Sequence, residues 1–447
     1  MTSSSNTTNS ISLFPVLSVN FIGMLGYSII MPFLVFLVTR FGGNELIYGI
    51  LGAVYPAFQL VGAPLLGRWS DRIGRRKVLL VSQAGTLLAW IIFIIALLAP
   101  LSPLVNLGSE TDGYIVITLP LILLFIARAF DGLTGGNISV ANAYLSDIST
   151  DENRKANFGK MAMSSSLGLI LGPAIAGVLG ASVYQELIPV STAAFISLLA
   201  MYLIWFKLPE SKPILVNPEA TRLSLRRTFS IEHKECYKMK KCTDTSFKAV
   251  LKLKSVPFML VIYFLTFLGF SFFYSAFPVH ALINLEWDSF ELGVFFSVLS
   301  GLMVLVQGPL LSFLSQRVSD EPLIAFGSFL LVINFLLMSV GSEVLIYTSA
   351  ILFALGNGLM WPSFLSLLSR LGGDAQQGAV QGLANSTGSF ASIIGLILGG
   401  YLFGIIGSNT FLFASVFLFI VFILSLKMLR FPPVETLNTS LPESHVS

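Results

Sequence analysis

Charge is scarce in this chain. Only 11% of its 447 residues are Asp, Glu, Lys or Arg, against 55% that are hydrophobic, and the mean hydropathy is +0.83. A soluble globular domain carries about 25% charged residues on a surface that faces water, so that class is excluded. Cysteine is scarcer still: Cys236 and Cys242 are the only two, with five residues between them. Two thiols make no disulfide framework, and the spacing is not that of a zinc knuckle, so they read as free thiols on a reducing side. The three histidines, His233, His280 and His445, are scattered, which leaves no cluster for a metal or for histidine-based catalysis. No enzyme, cofactor or metal site is therefore expected. Nucleic acid is excluded as a partner, because no basic patch is interleaved with aromatics. Met1–Ser10 holds no Lys or Arg, and the apolar run after it is too long for a signal-peptide core, so it reads as an uncleaved first helix.

What fills the chain instead is apolar sequence in bilayer-spanning lengths. Runs fall near 11–39, 46–66, 78–99, 115–138, 158–181 and 187–206, and again near 256–283, 290–314, 322–341, 344–369, 378–406 and 408–430. Each approaches or exceeds the ~20 residues that carry a helix across about 30 Å of hydrocarbon. The expected organisation is a first set of spans over 1–206, a solvated, flexible and basic connector over 207–255, a second set over 256–430 and a tail over 431–447.

The bases orient these spans. If Gly67–Lys77 faces the cytoplasm, so do the segments near 145–157, 207–255, 315–321 and 370–377 and both termini; with the helix ends beside them they hold 24 of the 26 Lys and Arg. The loops on the other side hold one base, Arg40, against eight acids. The expectation is a multi-pass protein of the cell (inner or plasma) membrane with cytoplasmic termini, surrounded by lipid and monomeric.

The second half echoes the first. Pro64-Leu65-Leu66, followed by Ser70 and Arg72, matches Pro309-Leu310-Leu311, followed by Ser315 and Arg317, at an offset of 245 residues. Gly168-Leu-Ile-Leu-Gly172 returns letter for letter as Gly395-Leu-Ile-Leu-Gly399. Duplicated bundles place a solute path at their interface near the bilayer midplane. The second copy of the charged segment has Gln316 where Asp71 would be, and lacks the arginine cluster.

Three constellations carry chemistry. Gly67–Lys77, GRWSDRIGRRK, is polar between two spans, so it is expected as a tight loop outside the hydrocarbon. Asp71 can offer a carboxylate to the N–H groups at the start of the eleventh span, near Gln377-Gly378, and Arg75 can pair with Asp147. Gly67, Asp71, Arg72, Gly74, Arg75, Arg76 and Asp147 are thus expected to switch between conformations without touching the solute. In the fourth span, Arg128 and Asp131 are the charges placed deepest in any span; each costs at least ~2.5 kcal/mol in lipid, so both should face the bundle interior or a water-filled cavity. Three residues apart, they share a helical face and can pair, either as a structural ion pair or as a charged site on the solute path. The fifth span carries Gly159, Gly168, Gly172, Pro173 and Gly177, a spacing that lets another helix approach closely.

The charged segment closely resembles the signature loop between helices 2 and 3 of the major facilitator superfamily of secondary transporters. The fifth-span glycines resemble the antiporter motif of its drug:proton exchangers. The run ARAFDGLTGGNISVANAYLSDISTDENRKANFG and the later QQGAVQG (Gln376–Gly382) resemble its tetracycline-efflux-like branch. The resemblance implies an all-α membrane protein, with twelve transmembrane helices in two six-helix bundles related by pseudo-two-fold symmetry. It implies alternating access, a small amphiphilic organic solute and proton-coupled efflux, with the arginine at 128 involved in proton movement. Three positions depart from that branch: Gly23 stands where an acid is expected, the middle of the ninth span around Leu331 has no carboxylate, and Asp131 replaces a more usual Gln. Those departures leave a facilitator or importer of a polar metabolite as a second reading, and a sensor or enzyme on the same fold as a third. Polar and aromatic groups within the spans are the candidate cavity lining: Asn20, Tyr27, Gln59, Asn137, Tyr274, Gln307, Asn334, Asn357, Trp361 and Asn385. Each can equally be a helix–helix hydrogen bond.

Overall fold

A computed structural model of the chain describes residues 12–107, 115–135, 137–149, 154–180, 182, 184, 186–211, 234–235, 243–244, 247–253, 255–371 and 373–429. The side chains of some residues inside these elements, Asp71, Arg72, Asn137 and Gly159 among them, fall outside that description, as do Cys236, Cys242, His233 and His445.

The first bundle is built from six segments. α1 is bent by 42° between Phe14–Ile29 and Leu34–Arg40. Pro32 explains the break, since it has no N–H to donate and crowds the carbonyl of the preceding turn. α2 is Glu45–Ile73, capped by the Asn44 side chain, which accepts from the N–H of Ile47 at 3.1 Å. α3 is Arg75–Leu98. α4 runs through Leu119–Thr134 and Asn137–Ile148, α5 is Arg154–Gly180 and α6 is Leu187–Lys207. A short hairpin, Pro103–Leu107 with Ile115–Thr118, joins α3 to α4, and a two-residue pair, Lys234–Glu235 with Thr243–Asp244, lies in the connector.

The second bundle follows with α7 (Val256–Asn284), α8 (Ser289–Leu305, continued by a π turn at Val306–Leu310 and by Leu311–Leu314), α9 (Asp320–Val340), α10 (Glu343–Leu371), α11 (Gly373–Ile406) and α12 (Thr410–Met428). Between the bundles, the short helix Phe247–Leu251 packs on α11. The apolar stretch Val380–Met428 is 49 residues long, about 73 Å as one helix and more than twice a bilayer core. A 3-10 turn at Gly407–Asn409, with Gly407 at φ +56°, breaks it into α11 and α12. With the bent α1 counted once and Val380–Met428 divided at this turn, the described residues form twelve spans of an α-helical membrane protein.

The charged segment Gly67–Lys77 is not the loop its polarity predicts. α2 continues to Ile73, α3 begins at Arg75, and Gly74 alone makes the turn, at φ +106° and ψ +148°. Both helices simply run on past the hydrocarbon, where charged side chains meet water, and only glycine adopts the backbone of the corner without strain.

The two bundles share one packing plan. In the first, α1 packs on α5 and α6, α4 on α2 and α3, and α3 on α6. In the second, α7 packs on α11 and α12, α10 on α8 and α9, and α9 on α12. Adding six to each label converts one set into the other, which is the pseudo-two-fold relation in terms of contacts. The letter-for-letter repeat does equivalent work in both halves. A Cβ on Gly168 would lie 2.5 Å from the Phe21 carbonyl of α1, and one on Gly395 would lie 2.9 Å from the Leu268 carbonyl of α7. Ser28 of α1 donates to the Gly168 carbonyl at 3.0 Å, and Ser275 of α7 donates to the Leu396 carbonyl at 2.8 Å. Small residues let these backbones touch, and the hydroxyls satisfy carbonyls that lipid would leave bare.

The bundles meet where α2 crosses α11 and where α5 crosses α8. Both crossings are glycine on glycine. A Cβ on Gly177 would lie 2.8 Å from the Gly293 Cα, and one on Gly400 would lie 3.1 Å from the Gly49 Cα and 2.4 Å from the Glu45 carbonyl. All four glycines sit near the helix ends on the acid-rich face. Farther along the same helices, away from that face, the glycines have no such neighbour: an added Cβ at Gly67, Gly301, Gly308 or Gly382 would meet nothing within 4 Å. The acidic-face crossings therefore leave no room for a side chain. Gly177→Val is expected to part α5 from α8. In a cysteine-free background carrying Tyr274→Cys, a membrane-impermeant maleimide added on the acidic face should label that site several-fold faster than it does with Gly177 intact.

Candidate functional site

The deepest charges among the described residues are held by α4. Thr118 caps that helix and also donates to the Phe41 carbonyl at 2.7 Å, which fixes the start of α4 against the end of α1. Three and four turns on, Arg128 and Asp131 lie 3.5 Å apart on one face, with side chains only 4% and 13% exposed. The Arg128 guanidinium sits 4.8 Å from the Tyr55 ring centre and 6.0 Å from that of Tyr27. Two aromatic faces thus replace water around the cation. Gly132 makes this approach of α2 possible, because a Cβ there would lie 2.4 Å from the Tyr55 carbonyl. Asp131 also receives a hydrogen bond from the side chain of Thr86. The pairing is incomplete: the buried Nε of Arg128 has no hydrogen-bond partner. A 3.5 Å contact with a spare donor is strong enough to tolerate burial and weak enough to exchange partners.

A second group gathers on the base-rich face. Arg75 donates from Nε to the Asp147 carboxylate at 3.0 Å, with the two side chains 4% and 15% exposed. This joins the start of α3 to the end of α4, inside one bundle. Against the helix dipoles the arrangement is unfavourable, since the cation sits at a helix N-terminus and the anion at a C-terminus. Its neighbours offset that. Glu210, just past α6, accepts from the N–H of Arg76 at 3.1 Å and so caps α3. Ser211 donates to the Asp147 carboxylate at 2.9 Å. In return, Arg76 donates to the carbonyls of Ile204 and Trp205 at the end of α6. In the second bundle the equivalent pair has its signs reversed: Asp320 at the start of α9 binds Arg370 at the end of α10, and Ser366 donates to Asp320 at 2.9 Å. That polarity agrees with the helix dipoles.

The remaining expected site residues divide by what they touch. Asn20 is committed to α5, donating to the Met161 carbonyl at 3.1 Å and the Ser165 hydroxyl at 2.7 Å. Gln59 donates to Tyr55 and to the Gly135 carbonyl, both at 3.1 Å. Asn334 is buried between α9 and α10, where its amide nitrogen donates to the Ser349 carbonyl at 2.8 Å. These three are helix–helix bonds. Tyr27 and Tyr274 face the junction of the bundles, where the Tyr48 hydroxyl donates to the Tyr274 carbonyl at 3.2 Å. Gln307 lies in the π turn, with its Cγ beside Gly358 of α10. Asn357 is buried on α10, Trp361 packs on Tyr263 and Phe267 of α7, and Asn385, itself exposed, accepts from the Tyr263 hydroxyl at 3.1 Å. Gly168 and Gly172 pack on α1, whereas Gly177 packs on α8. Asp71, Arg72, Asn137 and Gly159 belong to the undescribed side chains. Sequence reading missed Glu210, Ser211 and the Asp320–Arg370 pair; a carboxylate one residue after a helix-ending proline, Pro209-Glu210, was the available signal.

The Major Facilitator Superfamily model matches residues 16–395 and 259–445 of this chain. The chain is 28% identical over 393 residues to the class D tetracycline resistance protein of Salmonella ordonez, covering 87% of this chain and 88% of that one. It is 26% identical over 409 residues to multidrug resistance protein 1 of Bacillus subtilis, covering 91% and 93%. In three dimensions it resembles a D-xylose–proton symporter with a TM-score of 0.70 at 15% identity, over 95% of this chain and 98% of that one. A human organic anion transporter gives a TM-score of 0.66 at 19% identity, over 92% and 98%.

The capping network makes a measurable claim. Glu210→Ala removes the cap of α3 and should cost roughly 1 kcal/mol, seen as a lowered thermal unfolding midpoint in nanodiscs. Glu210→Gln, which keeps an acceptor, should lose less. Equal midpoints for Glu210→Ala and the parent would exclude the cap.

Proposed function

The chain belongs to the major facilitator superfamily and is a multi-pass membrane transporter of small molecules, not an enzyme; from that premise we propose that it exports a small amphiphilic organic compound in exchange for protons. The names of its relatives, tetracycline and multidrug resistance proteins, support an organic, drug-like solute. The positive-inside bias supports a cell (inner or plasma) membrane with both termini and the 207–255 connector cytoplasmic. The base-rich face is then the inner one. The two bundles, 1–206 and 256–430, act as the rocking bodies of a monomer, with 431–447 as a cytoplasmic tail.

The observation that carries the reading is the loosely paired Asp131, deep in α4, in a molecule whose glycine crossings are closed on the acid-rich face. With the outer glycine crossings shut, a solute enters from the cytoplasm. A proton on Asp131 cancels its charge and frees Arg128 to rest on Tyr27 and Tyr55; loss of the proton restores the pair. Solute and proton then compete for one charge state, which is the requirement for exchange. The Arg75–Asp147 pair, held against the helix dipoles and buttressed by Glu210 and Ser211, and the Asp71 carboxylate act as the inner-face switch.

The second reading, a facilitator without proton exchange, is favoured by Gly23 and by Leu331, which is fully buried in the second bundle. That leaves Asp131 as almost the only candidate proton carrier in the core. Proteoliposomes with an imposed pH gradient decide between them. Uptake of an amphiphilic dye such as ethidium should follow the gradient in the parent. Asp131→Asn should lose gradient-driven uptake by about tenfold or more while still passing dye downhill. Uptake that ignores the gradient in the parent would establish the facilitator.

A further inference from the structure

The second bundle contains a group that the proton chemistry does not use. Tyr263, Phe267, Phe270 and Tyr274 follow a 4-3-4 spacing and so share one face of α7. Tyr274 lies at the acidic-face end of this stripe, in contact with Tyr48 of the first bundle, so the stripe descends one wall of the gap between bundles. Lower down, Trp361 of α10 closes on it. The Trp361 ring centre is 5.3 Å from that of Phe267, at an interplanar angle of 70°, and also 5.3 Å from that of Tyr263. Tyr263 and Phe267 are themselves stacked at 4.8 Å and 15°. From the other side the Tyr263 hydroxyl is fixed to the Asn385 amide oxygen at 3.1 Å. Tyr263 is buried by these partners; Phe267 and Trp361 stay half-exposed, each with ring surface left over.

One turn from Trp361 on the same helix is Asn357, at the middle of α10. Its side-chain oxygen is buried and has no hydrogen-bond partner, and the residue is 9% exposed. Its amide nitrogen makes one weak contact, 4.0 Å to the Met303 sulfur of α8. Buried amide oxygens without partners are rare, and such a group calls for a water or a ligand that supplies the missing donor. Met303 is an unbranched, adaptable side chain, able to swing aside and let a donor in. Just below, α8 relaxes into the π turn at Val306–Leu310, a distortion common at functional sites.

We propose that Trp361, Phe267 and Asn357 form the second-bundle half of the solute site, and that it takes a flat aromatic ring carrying an N–H or O–H donor on its edge. The ring stacks on Trp361 beside Phe267, and its donor reaches the Asn357 oxygen once Met303 moves. This narrows the substrate class within the export reading and rests on it. The arrangement favours arylamines and phenols over aliphatic solutes, and over rings without a donor.

Binding in lipid nanodiscs at fixed pH tests the site apart from transport. The probes are 9-aminoacridine and 9-(dimethylamino)acridine, which share a ring and a charge but differ in the exocyclic N–H. The parent should bind the amino form about three- to tenfold more tightly. Asn357→Leu should abolish that preference by weakening the amino form alone. Trp361→Leu should weaken both forms, and Trp361→Phe should restore much of the loss. Equal affinities in the parent, no binding of either acridine, or an equal loss of both with Asn357→Leu would each overturn the site; size-exclusion profiles and melting midpoints matched to the parent identify variants that have folded. If the preference holds but vesicles show no gradient-driven movement, the export reading fails and the site stands. If gradient-driven transport continues with unchanged selectivity in Asn357→Leu and Trp361→Leu, the site fails and the export reading stands.

Discussion

Two backbone-on-backbone crossings hold this molecule in its present shape. α5 meets α8 at Gly177 and Gly293, and α2 meets α11 at Gly49 and Gly400, with separations that admit no Cβ. Within a bundle, lipid-level packing is supplied by many small residues and hydroxyls distributed along whole helices. Between bundles it is concentrated near one face. The helices that make these crossings are exchanged by the pseudo-two-fold relation, α2 with α8 and α5 with α11, so one crossing is the image of the other. A joint of this kind has a sharp energetic profile. Dispersion contacts between touching backbones are many, and a gap of about an ångström already forfeits roughly half of their attraction. The joint therefore favours closed or open over anything between, the behaviour needed by a carrier that must never be open to both sides.

The two halves share a plan but not a charge pattern. In both, the third and fourth helices are clamped on the base-rich face by an ion pair. In the second bundle, Asp320 and Arg370 sit at the helix ends their charges favour, and Arg370 is half exposed. In the first, Arg75 and Asp147 sit at the ends their charges disfavour, and they are buried. The first pair needs Glu210 and Ser211 to hold it, and these residues lie where α6 passes into the connector. A clamp that depends on third parties opens more readily than one that does not. The first bundle also contains Arg128 and Asp131, so the most deeply buried ion pair and the more fragile clamp belong to the same body.

Much of this was legible in the residues. Charge exclusion from hydrocarbon located most of the spans to within a few residues, but α2 and α4 run seven and ten residues past their expected ends at 66 and 138, to Ile73 and Ile148, because a helix continues into water where polar side chains suit it. The repeat of Gly168–Gly172 in Gly395–Gly399 pointed to equivalent packing, and Ser28 and Ser275 share it. The pairing of Arg75 with Asp147 followed from charge and topology. What the residues did not disclose has a common cause. The one-residue corner at Gly74 could not be told from an eleven-residue loop, since charged sequence is compatible with either once it lies in water. The cap that Glu210 gives α3 joins residues 134 apart, and the Asp320–Arg370 pair spans 50; such contacts are set by how helices assemble, which local pattern does not record. Among the cavity candidates, Asn20, Gln59 and Asn334 serve helix packing, and an isolated amide in an apolar span gives no sign of which neighbour it will meet.

The central claim is that the bundles rock about a joint that closes one face while the other opens. Spin labels placed in pairs test it directly by double electron–electron resonance: positions 44 and 405 report on the acid-rich face, and positions 77 and 316 on the base-rich face. On lowering the pH, or on adding a transported solute, the distance across the acid-rich face should lengthen while the distance across the base-rich face shortens, in the same sample and in proportion. Two distances that both stay fixed, or that lengthen together, would contradict the account.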